Sequence, residues 1–492
     1  MSPTGWRSRA TGLESEMVDE NLDDLMVYPR SRTEECDTTY FLARAGGEKV
    51  LVVEGEGSGL EGSLVGDRLV CPLSPANAAT LRQRLPWLRP QPLGLDPSVG
   101  FGDRLGLATP GHIRAARQSG GVSPIFAQQS MRENDRTGRT PQQVLDDAMW
   151  AVFQEGWRAP WGADADHLKT TRDIDICVAA GYTFYTVDPG DHVDNEAHTA
   201  SAAVLAEKFA ALPWARLDDT PEAMRQRYLD REFEVEDLVL SYDEISLARA
   251  AAKYGAALAH AGLMFRHLAA AMGSRAYEFE VSVDETATPT SPLEHHFVAS
   301  ELRRLGVRWV SLAPRYVGRF EKGVDYIGDL SQLDAELAQH AAIARALGPY
   351  KLSIHSGSDK FSVYPLFARR AGKLVHLKTA GTSYLEALRA VARVDPGFFR
   401  EILELARARY EVDRATYHVS AELEKVPAAD ELADEALASV LDQFDGREVL
   451  HVTFGSVLDR YGDRLLEVLD AHEEEYYAGL EAHFQKHLAP FV

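Results

Sequence analysis

The chain has 492 residues, with 52 Lys plus Arg against 75 Asp plus Glu and a formal net charge of −23. Its overall field therefore repels nucleic acid and anionic membrane surfaces, and neither is expected as a partner. Three scattered cysteines, Cys36, Cys71 and Cys177, give no disulfide framework and no CxxC knuckle, and no run approaches the roughly 18–20 apolar residues that span a bilayer. The start lacks a signal peptide's apolar core, so a cytoplasmic protein is expected; a homo-oligomer is compatible with the sequence.

Residues 1–30 are polar and acidic without periodicity and read as an arm. Residues 31–100 read as a small β-rich unit, and residues 101–492 as a TIM-like (β/α)8 barrel with C-terminal helices. Within the second segment, short apolar runs from Thr38 to Pro72 are broken by glycines, as in hairpins. Gly57, Gly59 and Gly62 spell GxGxxG, but SLVGDRLVC follows, not the helix that a pyrophosphate site requires, so these glycines are expected in hairpin turns. A helix or turn at Ala76–Arg84 and four prolines, Pro86, Pro90, Pro92 and Pro97, mark the boundary.

Beyond it, strand-like and helical segments alternate, the pattern of parallel βα units. The strand candidates are Arg104–Ala108, Pro124–Gln128, Gly162–His167, Thr183–Asp188, Tyr277–Glu285, Arg308–Pro314, Tyr350–Gly357, Lys373–Gly381, Tyr417–Ala421 and Glu448–Gly455. Ten candidates exceed the eight places of a barrel, so at least two are misread or lie outside it. Helices are expected at Thr140–Gln154, Ala197–Ala211, Ile245–Met272, Leu330–Leu347, Tyr384–Val394 and Gly397–Arg409, and a charged helix or helix pair at Ser456–His487.

Several of these strands are two-faced. In YEFEVSVDE, Tyr277, Phe279, Val281 and Val283 alternate with Glu278, Glu280, Ser282 and Asp284; Tyr350–Gly357, Lys373–Gly381 and Glu448–Gly455 set His355, His376 with Lys378, and His451 opposite apolar residues. Apolar outside and ionisable inside describes a closed barrel with a reactive lumen. An acidic stripe inside a barrel is costly unless paired, hydrated or bound to a cation, and Glu280 is placed as an acid/base group. The segment ADADHLK gathers Asp164, Asp166, His167 and Lys169 at one strand end, where a bulge can expose consecutive side chains; Asp166 then suits a base and His167 a metal ligand. His355 sits where a strand yields to a Ser/Gly loop, the edge at which this fold carries chemistry. His376 is a candidate on the same logic, His418 and His451 read as supporting residues, and His295 and His296 as capping or surface residues.

ADADHLK, EVSVDET with PTSPLEHHF, SLAPRYVGRFEKGVDYIGD, GPYKLSIHSGSDKFSVYP, HLKTAGTSYLEALR and LHVTFGSVL together resemble the tagaturonate/fructuronate epimerase family, from about Phe101 to the C-terminus. The resemblance implies a TIM-barrel-like isomerase that interconverts two ketohexuronates with a divalent metal (Zn, Mn, Ni, Co or Fe). By matching position it implies Asp166 and Glu280 as the acid/base pair and His167 and His355 as metal ligands. His376 is added as third ligand on geometry, with His451 or a carboxylate as its replacement. A carboxylate-bearing sugar acid needs a cationic partner, for which Lys360, Lys378, Arg315 and Lys169 are the candidates. The alternatives are a metal-dependent aldolase or lyase, which would share the first half of a retro-aldol epimerisation, and a metal-dependent hydrolase, whose common barrel form carries an HxH pair that this sequence lacks.

Overall fold

A computed structural model describes residues 25–492; most of the expected N-terminal arm lies outside the described residues. Eight parallel strands close into a barrel: β1 Ser98–Gly102, β2 Ser123–Ser130, β3 Gly162–Leu168, β4 Phe184–Val187, β5 Glu278–Ser282, β6 Ser311–Ala313, β7 Lys351–Ile354 and β8 Val375–Thr379, each paired with the next and β8 with β1. Helices on the outside include Pro141–Gln154, Thr171–Ala180, Glu244–Met272, Pro292–Arg304, Leu330–Leu347 and Thr382–Val394. Many begin at a side-chain cap that occupies orphan N–H groups: Thr140, Thr170 and Ser291 each form a reciprocal pair with the residue three positions on.

An antiparallel sheet from Met26 to Pro72 precedes the barrel, with hairpin strands Ser63–Val65 and Arg68–Pro72 directly after the GxGxxG glycines. It is tied to the last two α-helices, by Arg44 and Lys49 on Glu473 of Glu473–Leu488 and by Arg44 on Asp470 of Phe454–Ala471, at 2.7–2.9 Å. The helix Glu473–Leu488 packs against Thr109–Ser119, where Gly111 permits the approach: a Cβ there would meet Leu480 Cβ at 2.7 Å.

Three expected strands need correction. Arg104–Ala108 is a loop, closed by the Asp103 carboxylate accepting from the Leu105, Gly106 and Ala108 N–H groups. The strand is the preceding SVGFG, whose glycines hide it from β-propensity but are required: a Cβ on Gly102 would lie 2.6 Å from Ala380 Cα. Tyr417–Ala421 has no sheet partner among the described residues; its Ser420 and Ala421 N–H groups donate to Glu448, and Ser420 also to Glu321. Glu448–Gly455 belongs mostly to the helix Phe444–Val452, since a short apolar run does not distinguish strand from helix. Ala197–Ala211 divides into a 3-10 turn, Asn195–His198, and the helix Ala202–Ala210.

His295 and His296 are likewise not at the surface. Both are buried, His295 between Tyr350 Oη (2.8 Å) and His340 Nδ1 (2.9 Å), His296 on Tyr242 Oη (2.8 Å). Burial pushes His112, His296 and His340 down to about 4. Each is depressed in the fold relative to an unfolded value near 6.5, so the unfolded chain binds more protons between those limits and stability falls as pH drops from about 6.5 to 4. Each fully buried ring contributes at most ~3 kcal/mol to that loss. The melting temperature should therefore fall across this window; a flat profile between pH 7 and 4.5 would contradict it.

Candidate active site

The lumen is built in layers. The deepest holds His376, whose Nδ1 lies 2.9 Å from Ser98 Oγ, Lys351 Nζ on the same hydroxyl at 2.8 Å, and Phe184 beside the imidazole ring. Burial pushes His376 down to about 3 and Lys351 to about 8. Above it, Lys378 Nζ stands among Asp164 (2.8 Å), Asp166 (2.8 Å), Glu280 (2.9 Å) and Thr186 Oγ1 (2.6 Å), all buried. The topmost layer adds His167 and His355.

β3 supplies both Asp166 and His167 because its register against β4 shifts between Tyr185 and Val187 and His167 takes φ 54°. This is the bulge that ADADHLK suggests. Asp166 is fixed by Gln128 Nε2 at 2.9 Å. His167 Nδ1 lies 3.1 Å from Asp166 Oδ2 and 3.3 Å from His355 Nε2, and His355 Nε2 lies 3.3 Å from Asp166 Oδ1. Their other ring nitrogens, His167 Nε2 and His355 Nδ1, are buried and without hydrogen-bond partners among the described residues, where the nearest carboxylates are Glu285 at 3.5 Å and Asp284 at 3.6 Å.

Three carboxylates around one ammonium leave an excess of buried negative charge. Burial, only partly offset by Lys378, pushes Asp164 up to about 7. Burial acts on Glu280 in the same sense, but Lys378, His376 and His355 override it and hold Glu280 at about 2. Asp166 is held well below the carboxylate range against its burial by Lys378 and the two imidazoles. For His167, the Asp166 and Glu285 carboxylates overcome burial and favour the charged ring. The same negative field favours any cation placed there.

The structure thus brings Asp166, Glu280, His167, His355 and Lys378 together and leaves His376 one layer below. Of the other expected cations, Lys360 is buried and donates to three backbone carbonyls, those of Glu321, Val324 and Ser358, so no donor remains for a ligand. Lys169 pairs with Asp191 at 2.9 Å. Arg315 donates to the Tyr316 carbonyl at 3.3 Å and does not line the cleft.

The cleft over the carboxylates is lined instead by Arg104, Arg132, Lys322, Tyr417, His451 and the Ser356–Ser358 loop. Arg104, Arg132, Lys322 and Tyr417 come from loops and helices that share no local pattern; the sequence offered two hints, the Ser/Gly loop after His355 and His451, in a segment read as a strand. Its ring fills the space beside Gly381, where an added Cβ would lie 1.9 Å from Nε2. Gly381→Ala should displace the ring and destabilise the protein by about 1–3 kcal/mol, as overpacking does. An unchanged melting temperature would contradict this contact.

A parallel eight-stranded barrel that gathers carboxylates, imidazoles and an ammonium at the C-terminal ends of its strands defines a (β/α)8-barrel enzyme. The sequence profile of the tagaturonate epimerase family matches residues 28–491. The chain belongs to that family, and it is an isomerase of the epimerase class. A tagaturonate/fructuronate epimerase of Thermotoga maritima is 43% identical over 476 residues, covering 94% of this chain and 96% of that one. Two crystal structures of a fructuronate-tagaturonate epimerase from Cohnella laeviribosi, one native and one with a single glycerol, superpose with TM-scores of 0.91 at 40% identity. Each covers 95% of this chain, and 97% and 96% of the respective crystal chains are matched.

Proposed function

We propose that this chain interconverts D-tagaturonate and D-fructuronate, with Asp166 and Glu280 moving the proton and a divalent metal ion held by His167 and His355. The observation that carries this reading is the convergence of Asp166 and Glu280 on Lys378, with His167 and His355 against Asp166 and each other at the barrel mouth. The relatives named for that reaction cover nearly the whole chain.

The donors fit a metal. Two imidazoles with unpartnered buried nitrogens stand beside carboxylates in a negative field, and imidazole with carboxylate suits Zn, Mn, Ni, Co and Fe alike. His376 lies a layer below His167 and His355, and Asp166, which lies against both imidazoles, would offer the third donor. When bound, a divalent ion there would supply Lewis-acid stabilisation of negative charge developing on the substrate.

The carbon to be inverted lies one position beyond the carbon next to the ketone, so that carbonyl does not acidify its C–H bond. Cleavage and re-addition avoid the difficulty. Asp166 and Glu280 are both ionised at rest, so the first event is acceptance of the carbinol hydroxyl proton by one of them. As that C–O becomes C=O, the adjacent C–C bond breaks and its electron pair moves toward the ketone, leaving an aldehyde and an enediolate. Turning the aldehyde and remaking the bond on its other face inverts the centre, and the proton returns to the new hydroxyl. Lys378 holds both carboxylates in place and favours their ionised forms before the proton is taken up and after it is returned.

Protein stripped with a chelator and then given single metals tests the metal requirement. Conversion of tagaturonate to fructuronate, followed by NMR, should be lost on stripping and restored by one or more of the five ions. Full activity in the chelator would contradict it, and release of three-carbon fragments in place of fructuronate would make the enzyme a lyase.

A further inference from the structure

The cleft has a cationic corner on a strongly acidic protein. Arg104 is buried; its Nε and Nη2 are held by Glu133 Oε1 at 2.8 and 2.6 Å, its guanidinium lies 3.9 Å from the centre of the Phe454 ring, and its Nη1 has no partner among the described residues. His451, also buried, has an unpartnered Nδ1 and is wedged between Gly381 and Gly323, where a Cβ on Gly323 would lie 3.1 Å from its ring. Lys322 Nζ donates to Ser356 Oγ at 2.9 Å, beside His355. Burial first, then the charges of Arg104 and Lys322, push His451 well below its usual range and keep it neutral. All three residues line the same cleft as Asp166 and His355.

We propose that Arg104 Nη1, His451 Nδ1 and Lys322 Nζ form the anchor for the carboxylate of the sugar acid, in place of the four cations that sequence position suggests. Two buried polar nitrogens without partners are costly unless a ligand occupies them. A carboxylate offers two oxygens for two or three such donors, and a planar guanidinium already locked by Glu133 and Phe454 loses little freedom on binding it. The anchor also accounts for the Lys322–Ser356 bond, which ties the charged end of the substrate to the loop that follows His355. The proposal rests on the reading of the substrate as a sugar acid, but its test does not require turnover.

The probes are D-gluconate, a six-carbon sugar acid without a ketone, its neutral counterpart sorbitol, and inorganic phosphate, titrated calorimetrically into the protein as purified. Wild type should bind gluconate more tightly than sorbitol or phosphate. Lys322→Gln should weaken gluconate about 10- to 100-fold, as expected for loss of a charge-assisted contact, and shift sorbitol less than twofold. Lys322 is the safer variant, because Arg104→Gln strips Glu133 of its partner; His451→Asn gives a second reading from the opposite side. Equal gluconate affinity in wild type and in both variants would overturn the anchor, as would phosphate binding more tightly than gluconate or no preference for gluconate over sorbitol. Failure of epimerisation with retained, Lys322-dependent gluconate binding would instead fault the reaction assigned above.

Discussion

Asp166→Asn and Glu280→Gln are each expected to lower turnover at saturating substrate by about 10²- to 10⁴-fold, the range for loss of a positioned acid/base group. Both carboxylates lie within 2.9 Å of Lys378, and each variant leaves that ammonium two other carboxylates, so the fold should persist. An unchanged circular dichroism spectrum with a collapsed rate is the expected pair of results. Near-wild-type turnover in both variants would remove these residues from the chemistry.

Lys378→Met is expected to have the other large effect, on stability as well as rate. The side chain is about 1% exposed, and removing it leaves Asp164, Asp166 and Glu280 facing one another in the lumen. Breaking a buried ion pair by deleting one partner costs about 3–5 kcal/mol. The three carboxylates escape part of that cost by taking up protons, so the variant's deficit in melting temperature should shrink as pH falls. A wild-type melting temperature at neutral pH would show that the ammonium does not hold the carboxylates.

Much of this was legible in the sequence where local pattern and chemistry coincide. YEFEVSVDE alternates because β5 has a packed side and a lumen side, so Glu278, Glu280 and Ser282 announce themselves by position. ADADHLK places two acids and a histidine together because a bulge turns successive side chains the same way. The glycine strand SVGFG was missed because it is selected for close approach to β8 and Gln128 and not for β-propensity. Histidines in polar-looking segments were harder to place, because depth is set by register across strands: His376 alternates as His355 does but lies beside Ser98, well below the mouth. Lys360 looked like a loop cation next to the site, yet a chain of carbonyls from a distant segment consumes it. Arg104, Lys322 and His451 converge from a loop after β1, the connection after β6 and a C-terminal helix, and no spacing in the sequence records that meeting.

The most direct test of the assigned reaction is the product's proton NMR spectrum after turnover of D-tagaturonate in D2O by the metal-loaded protein. Cleavage and re-addition at the Asp166–Glu280 site should give D-fructuronate that keeps its original hydrogen on the inverted carbon. Deuterium at that carbon, or no fructuronate at all, would contradict it.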